Sequence, residues 1–446
     1  MSKTKVFRNT AIALAVAGPM TAAMATNGMV LEGYGPISTA MGGASQAFDH
    51  GTAAMAQNPA TLSMMEDGAR LDVAVGMLGP KITASMSGQP AADSSGTAYM
   101  MPAIGYARKS GAYTYGVGVY AVGGMGTEYD KNSFMGVNTG QGARSELGVG
   151  SLIFPLSYQV NPNFAIGGSL DFVWATMDLQ MAARSSAFQM VSSGGLVTGM
   201  SSGFGTALGS YTFDAGRIDF SDGDKYSGAA KANGYRAKIG ATYKVSSTLT
   251  VGGSYQGKTS LSDMQTANGS ASISLYNGGA QQMTMAGKIT VQNFQWPSVT
   301  SVGAAWQATP TVLVAADVKS IGWAEVMKSF NMRFDAGSDY ATFSLPQNWK
   351  DQTVVSFGGA YKATTQLTLR AGLNIADNPI PDSYVNALFP ATIKTHYTLG
   401  AGYDFNKVSA VNFSYVMAPE VSTTDANGVT VKHAQSNWQL MYSHRF

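Results

Sequence analysis

Apolar and polar side chains alternate residue by residue along many segments of the chain. From Leu367 to Ile375 the odd positions are apolar, and the even positions are polar or glycine. Residues 235–244 and 397–405 repeat the pattern. Because successive side chains of a strand point to opposite faces of the sheet, this period predicts strands with one apolar face and one polar face.

Fourteen such strands can be placed along the chain, and several exceed the usual length of a strand in a soluble protein. Short links, such as 108–112 and 363–366, alternate with long links that are polar or rich in glycine. This layout is typical of an antiparallel outer-membrane β-barrel, with turns at one end and loops at the other. We therefore expect an all-β transmembrane barrel of 14 strands. The expected strands begin near Leu71, Thr97, Tyr113, Glu146, Phe164, Gly234, Leu249, Met283, Val312, Thr353, Leu367, Thr395, Ala410 and Lys432.

The last strand supports the same fold. Trp438, Leu440, Tyr442 and the terminal Phe446 share one face. An aromatic residue at the end of such a strand resembles the signal that the outer-membrane assembly machinery reads, so we expect that machinery and membrane lipid as partners. Tryptophans near strand ends fit the aromatic girdles at the membrane interfaces. Examples are Trp174, Trp323 and Trp438.

The composition agrees with a chain whose surface faces lipid. Charged residues make up 12% of the 446 residues, about half the ~25% of soluble proteins. No apolar run is long enough for a spanning helix. Cysteine is absent, which excludes disulfides and thiolate metal sites. The net charge of +2 is too small to indicate nucleic acid as a partner.

The first 25 residues have the features of a secretory signal peptide. Lys3, Lys5 and Arg8 form the positive region, 11–17 is the apolar core, and 23–25 is a small-x-small cleavage site. We therefore expect residues 1–25 to be removed and the protein to be exported.

Residues 26–66 show no alternation and are rich in small side chains, with apolar groups throughout. The segment is too polar to lie in lipid, and a wide barrel without a plug would leak small solutes. We expect it to fill the lumen as a hatch, followed by the barrel in residues 67–446. A disordered periplasmic tail is the alternative.

The expected hatch contains several short motifs: Asn27-Gly28-Met29, Gly33-Tyr34-Gly35-Pro36, residues 40–44 and Asn58-Pro59-Ala60. Further motifs follow along the barrel at residues 294–297, 316–318 with Trp323, 349–353, 369–372 and 378–382. Together and in this order, these motifs resemble the FadL family of outer-membrane long-chain fatty acid transporters.

The resemblance implies passive uptake of hydrophobic molecules, with capture at outer loops, an internal binding site and exit sideways through a kink in the third strand. It implies no cofactor and no enzymatic activity. The third strand here contains Gly123-Gly124, and glycine permits the broken pairing of a kink, so we place the opening there. We expect a monomer among outer-membrane lipid and lipopolysaccharide.

The expected third outer loop, residues 185–229, is unusually apolar. Exposed apolar groups in a long loop indicate ligand binding, although packing into a lid explains them equally well. The candidates for capture are Phe188, Met190, Leu196, Met200 and Phe204.

A fatty acid carboxylate would also need a cation in the lumen. Lys319, Lys328 and Arg370 are candidates, although inward ion pairs are ordinary in such barrels. No arrangement of catalytic or metal-ligating residues emerges. A general porin is the alternative function, and the hatch and low charge disfavour it. The cargo could be a fatty acid, an alkane or an aromatic hydrocarbon.

Overall fold

A computed structural model describes residues 27–224 and 227–446 of the chain. The predicted signal peptide, residues 1–25, lies outside them. Within this part of the chain, helices are short and none is long and apolar enough to cross a membrane. The α-helices are α1 (Gly35–Thr39), α2 (Ser202–Gly209) and α3 (Trp323–Val326), and the 3₁₀ helices are Thr52–Ala56, Pro59–Met64, Phe134–Gly136, Ser185–Phe188, Val191–Ser193 and Asp382–Tyr384.

The strands form one antiparallel sheet that closes on itself where the first strand pairs with the last. They are β1 (Gly68–Ser85), β2 (Ala92–Asp93), β3 (Tyr99–Ser110), β4 (Tyr113–Tyr129), β5 (Ala143–Asn161), β6 (Phe164–Arg184), β7 (Val197–Met200), β8 (Ala215–Phe220), β9 (Ala230–Lys244), β10 (Leu249–Gln256), β11 (Ser260–Leu261), β12 (Met264–Gln265), β13 (Ala271–Asn277), β14 (Ala280–Gln292), β15 (Val299–Thr309), β16 (Val312–Ile321), β17 (Ser329–Ala336), β18 (Asp339–Pro346), β19 (Gln352–Lys362), β20 (Leu367–Ala376), β21 (Thr395–Asp404), β22 (Ser409–Thr424) and β23 (Thr430–Arg445).

The prediction of 14 strands is wrong, because the closed barrel has 18. Between β6 and β9 the pairing runs through β8, β13, β14 and β12, which the sequence analysis left largely to loops. β6 and β9 also pair directly over Phe164–Met177, so the added strands enlarge only the end with the long loops. β12 has two residues, and so short a strand leaves no detectable period.

The wall is apolar outside and polar inside. In β20, Leu369 and Ile375 are 46% and 48% exposed, whereas Asn374 between them is fully buried. Exposed apolar and buried polar side chains on one strand invert the pattern of a soluble protein and match a surface that faces lipid. The predicted alternation is confirmed in this strand.

Residues 27–64 lie almost completely buried against inward-facing side chains of the wall. α1 packs on β21, β22 and β23, and the 3₁₀ helix Pro59–Met64 packs on β5, β6 and β9 on another side of the ring. The N-terminal segment and the inner face of the barrel therefore share one core.

Candidate functional site

The wall has a break in strand pairing between β3 and β4. β4 pairs with β3 only as far as Tyr120, which lies opposite Ala103. The next residue of β3 is Pro102, which has no N–H to donate to a ladder. Beyond Tyr120, β4 pairs only with β5, and the register shifts between Ala121 and Gly123. Strand β4 thus turns away from β3 at the middle of the wall.

Gly123 and Gly124, the predicted kink residues, lie at this break with φ angles of 154° and 157°. Residues other than glycine rarely adopt such φ angles. The sequence analysis found this glycine pair but missed Pro102, because its partner strand could not be assigned from local pattern alone.

The break is filled from inside by the start of the described chain. Asn27 and Val30 form a tight turn through two backbone hydrogen bonds of 2.9 and 3.2 Å. Val30 then bridges to Gly123, and the Gly124 N–H donates to the Met29 carbonyl at 3.1 Å. The turn 27–30 acts as a short extra strand at the gap.

Tyr34 of the N-terminal segment also contacts β4 at the break. Its hydroxyl donates to the carbonyl of Val122 at 2.9 Å. Burial raises the pKa of Tyr34 to about 12, so the hydroxyl keeps its proton for this bond.

An apolar pocket lies on the side of the break nearer the long loops. The pocket is narrow, and five methionines belong to its lining. Methionine is flexible, so such a lining can adapt to ligands of different shape. None of the lining side chains carries a charge. They are Met29, Met125, Leu147, Met177, Leu179, Met181, Phe294, Met327, Phe330, Leu345, Gln347, Trp349, Asn386 and Phe389.

A second pocket lies on the other side of the turn 27–30. It is bounded by Leu31 and Tyr34 of the N-terminal segment, by Met101 and Pro102 of β3, and by Tyr120 of β4. The two pockets therefore flank the same break, and the turn 27–30 lies between them.

Three tryptophans pack against one another beside the break in strand pairing. Trp323 packs edge-on against Trp296 at 5.7 Å and against Trp349 at 5.0 Å between ring centroids. A Cβ atom added to Gly123 would lie 2.6 Å from Trp296, and one added to Gly28 would lie 2.7 Å from Trp323. The placement of Trp323 in a membrane girdle is wrong, because its side chain is completely buried in this cluster.

The Asn58-Pro59-Ala60 motif contacts β5, β6 and β9 and not the break. The Asn58 amide donates to the carbonyls of Gln46 at 2.8 Å and Ala241 at 3.2 Å, and its oxygen accepts from the Ala60 N–H at 3.1 Å. Ser157 of β5 donates its hydroxyl to the Pro59 carbonyl. The motif thus fixes the middle of the N-terminal segment to the wall and starts a 3₁₀ helix.

Charged side chains of the wall also hold this segment. Lys319 donates to the Glu32 carbonyl at 3.1 Å, and Lys238 donates to the Met55 carbonyl at 2.7 Å. Asp317 accepts from the backbone N–H of Ser45 at 2.6 Å. Hydrogen bonds at these depths compensate the burial of the charges.

The three predicted carboxylate contacts do not meet in the apolar pocket. Lys319 is bonded to the N-terminal segment, Arg370 donates to Asn412 at 3.1 Å, and Lys328 is exposed. Among the residues that the structure describes, no cluster of metal-ligating side chains occurs.

The predicted capture residues lie in the cap formed by the long loops and do not line the apolar pocket. Phe188 packs edge-on against Phe213 and Phe343, and Phe204 packs against Phe334. Met190 is 37% exposed, whereas Leu196 and Met200 are half-buried. The pocket residues were missed because they come from eight separate segments, none of which has a distinctive local pattern.

Comparison with known proteins relates nearly the whole chain to one family. Residues 12–444 match the profile of the outer membrane protein transport protein family (OMPP1/FadL/TodX). The crystal structure of the Pseudomonas putida toluene transporter TodX is 32% identical, with a TM-score of 0.84, over 93% of this chain and 99% of that one. The Ralstonia pickettii toluene transporter TbuX is 30% identical, with a TM-score of 0.77, over 93% and 99%.

Two further comparisons are more limited. A Pseudomonas aeruginosa FadL homologue shares the fold at 15% identity, with a TM-score of 0.72 over 94% of this chain and 100% of that one. An uncharacterized protein in the phosphoenolpyruvate carboxykinase gene 5′ region of Chlorobium limicola is 55% identical over 58 residues. That match spans 13% of this chain and 29% of the relative's length.

Proposed function

Because the chain belongs to the outer membrane protein transport protein family (OMPP1/FadL/TodX), we propose that this outer-membrane barrel takes up uncharged hydrophobic molecules of the monoaromatic hydrocarbon class. The apolar pocket beside the break in β4 is the observation that carries the proposal. It is lined by methionine, leucine and aromatic side chains and contains no charged group. An uncharged ligand fits such a lining, whereas a carboxylate would be buried there without a counter-charge.

The relatives support the same class of cargo. Structures with at least 30% identity over most of both chains are described as toluene transporters or as monoaromatic hydrocarbon channels. A long-chain fatty acid is the second candidate, since the family also includes FadL. It would need a cation at the pocket, and Lys319 and Arg370 are bonded elsewhere.

We propose that the cargo leaves sideways through the wall. Cargo would pass from the apolar pocket, across the turn 27–30 at Gly123, into the second pocket and then between β3 and β4 into lipid. Each methylene-sized group that passes from water to lipid gains ~0.8 kcal/mol, so no motor is needed. In this scheme, residues 27–66 are the hatch that prevents open-porin conduction, and the cap residues Phe188, Met190, Leu196, Met200 and Phe204 provide initial capture.

Leu179→Asn tests the pocket. Leu179 lines it and is 1% exposed, so an amide there lacks partners and should weaken toluene binding by about tenfold. Leu275→Asn is the matched control, because Leu275 is equally buried but does not line the pocket. Titration calorimetry on the purified protein, with toluene and with dodecanoate, measures both. Equal affinity in both variants, or tighter binding of dodecanoate than of toluene in the unaltered protein, would contradict the proposal.

A further inference from the structure

One polar hydrogen of the apolar pocket has no acceptor. The side chain of Trp349 lines the pocket and is 3% exposed, and its indole Nε1 is buried without a hydrogen-bond partner among the described residues. The neighbouring Trp323, by contrast, directs its own Nε1–H to Gln352 at 3.3 Å. Buried tryptophan N–H groups usually have an acceptor.

The position of this donor is fixed by its surroundings. The indole packs edge-on against Trp323, and the Trp349 backbone N–H donates to the Met327 carbonyl at 3.1 Å. Met327 itself lines the pocket. A donor held in this way is ordered before any ligand arrives, so a bond to it costs little additional entropy.

The other polar groups of the lining are neutral amides. Asn386 uses its side-chain oxygen to accept from the Leu388 N–H at 2.9 Å, which leaves its NH₂ group as the available donor. Gln347 adds a second amide. The lining thus offers at least two uncharged donors and no carboxylate.

We infer that the pocket prefers an apolar ligand with one uncharged oxygen acceptor, such as an aromatic ketone, aldehyde or ether, and that the Trp349 indole N–H binds this oxygen. The inference rests on the proposed function of the pocket as a site for uncharged monoaromatic ligands, and it adds that those with one oxygen acceptor bind more tightly than plain hydrocarbons. The hydrocarbon body of the ligand contacts the methionines, and its oxygen accepts the hydrogen bond from the buried Trp349 indole N–H. A plain hydrocarbon leaves the donor unpaired and a carboxylate finds no cation, so both bind more weakly.

Ethylbenzene and acetophenone separate the two proposals, because they share a carbon skeleton and differ by one carbonyl oxygen. We expect the protein to bind acetophenone about threefold to tenfold more tightly than ethylbenzene in titration calorimetry, with benzoate weaker than both. Trp349→Phe should remove that preference by weakening acetophenone alone. Trp306→Phe is the control, since Trp306 lies on the outside of the wall and is 52% exposed.

A second measurement needs no variant. In the unaltered protein, the infrared carbonyl stretch of bound acetophenone should shift to lower wavenumber than in hexane, as expected for a carbonyl that accepts a hydrogen bond. Equal affinities for acetophenone and ethylbenzene, or a preference that survives Trp349→Phe, would overturn the inference alone. Binding of benzoate more tightly than both neutral ligands would overturn the uncharged ligand class of the proposed function as well. Absence of binding by both neutral ligands would overturn the pocket and the inference together.

Discussion

The carbonyl oxygen of Met29 occupies the position that a side chain at Gly123 would need. A Cβ atom built on Gly123 overlaps that oxygen, and the Met29 carbonyl also accepts the N–H of Gly124. The N-terminal turn and the kinked strand can approach this closely only because position 123 has no side chain.

The double substitution Gly123→Val, Gly124→Val should abolish uptake of radiolabelled toluene by cells. The valines would displace the turn 27–30 and fill the break between β3 and β4. Binding of cargo at the cap, measured at 4 °C, should persist. Gly209→Val is the control, because a Cβ there meets nothing within 4 Å. Normal uptake by a correctly folded double variant would show that cargo leaves elsewhere.

Two adjacent glycines of β19 offer a matched test of how residues 27–66 are seated. A Cβ on Gly358 would lie 2.4 Å from the Met41 backbone, whereas one on Gly359 has no neighbour closer than 3.8 Å. Gly358→Leu should loosen the segment and raise single-channel conductance in planar bilayers several-fold, and Gly359→Leu should not. Identical low conductance of the two variants would argue against close seating at this strand.

Deletion of residues 27–66 should convert the barrel into an open pore. These residues fill the inner space, and no other described segment replaces their contacts with β5, β9 and β21. Steady ion conductance in planar bilayers, well above that of the full chain, is the expected result. A folded deletion variant that stays closed would refute the plug assignment.

Asn58→Ala should weaken the attachment of the N-terminal segment without unfolding the wall. The change removes two donated bonds and one accepted bond at buried positions, which corresponds to ~1–3 kcal/mol of local stability. Amide exchange of residues 44–62, followed by mass spectrometry, should become faster, and toluene uptake should fall. Asn427→Ala, in an exposed turn, is the control. Unchanged exchange in Asn58→Ala would mean that other contacts hold the segment.

Most strands of the wall could be predicted from the sequence, because the alternation of apolar and polar side chains that reveals a strand involves only neighbouring residues. Leu369 and Arg370 differ in environment simply by being adjacent in a strand, and a period of two reveals this. The strand assignment failed where strands are too short to show a period, as in β12, and it also missed β15, whose eleven residues include the small side chains of 303–305. The pocket could not be predicted, because Met29, Met177 and Phe389 meet only after the barrel closes, and each alone is an ordinary apolar residue.

The seam of the barrel constrains the order in which the molecule is made. β1 pairs with β23 along 16 residues, from Arg70 opposite Arg445 to Ser85 opposite Thr430. The ring therefore stays open until β23 pairs with β1. These two strands lie at opposite ends of the barrel sequence, so their pairing carries a high cost in loop-closure entropy. Residues 27–66 precede β1 and lie deep inside the ring, so closure of the seam encloses them. The segment can reach its buried position most directly while the ring is still open, and we therefore expect it to pack against the inner face of the wall before β23 pairs with β1.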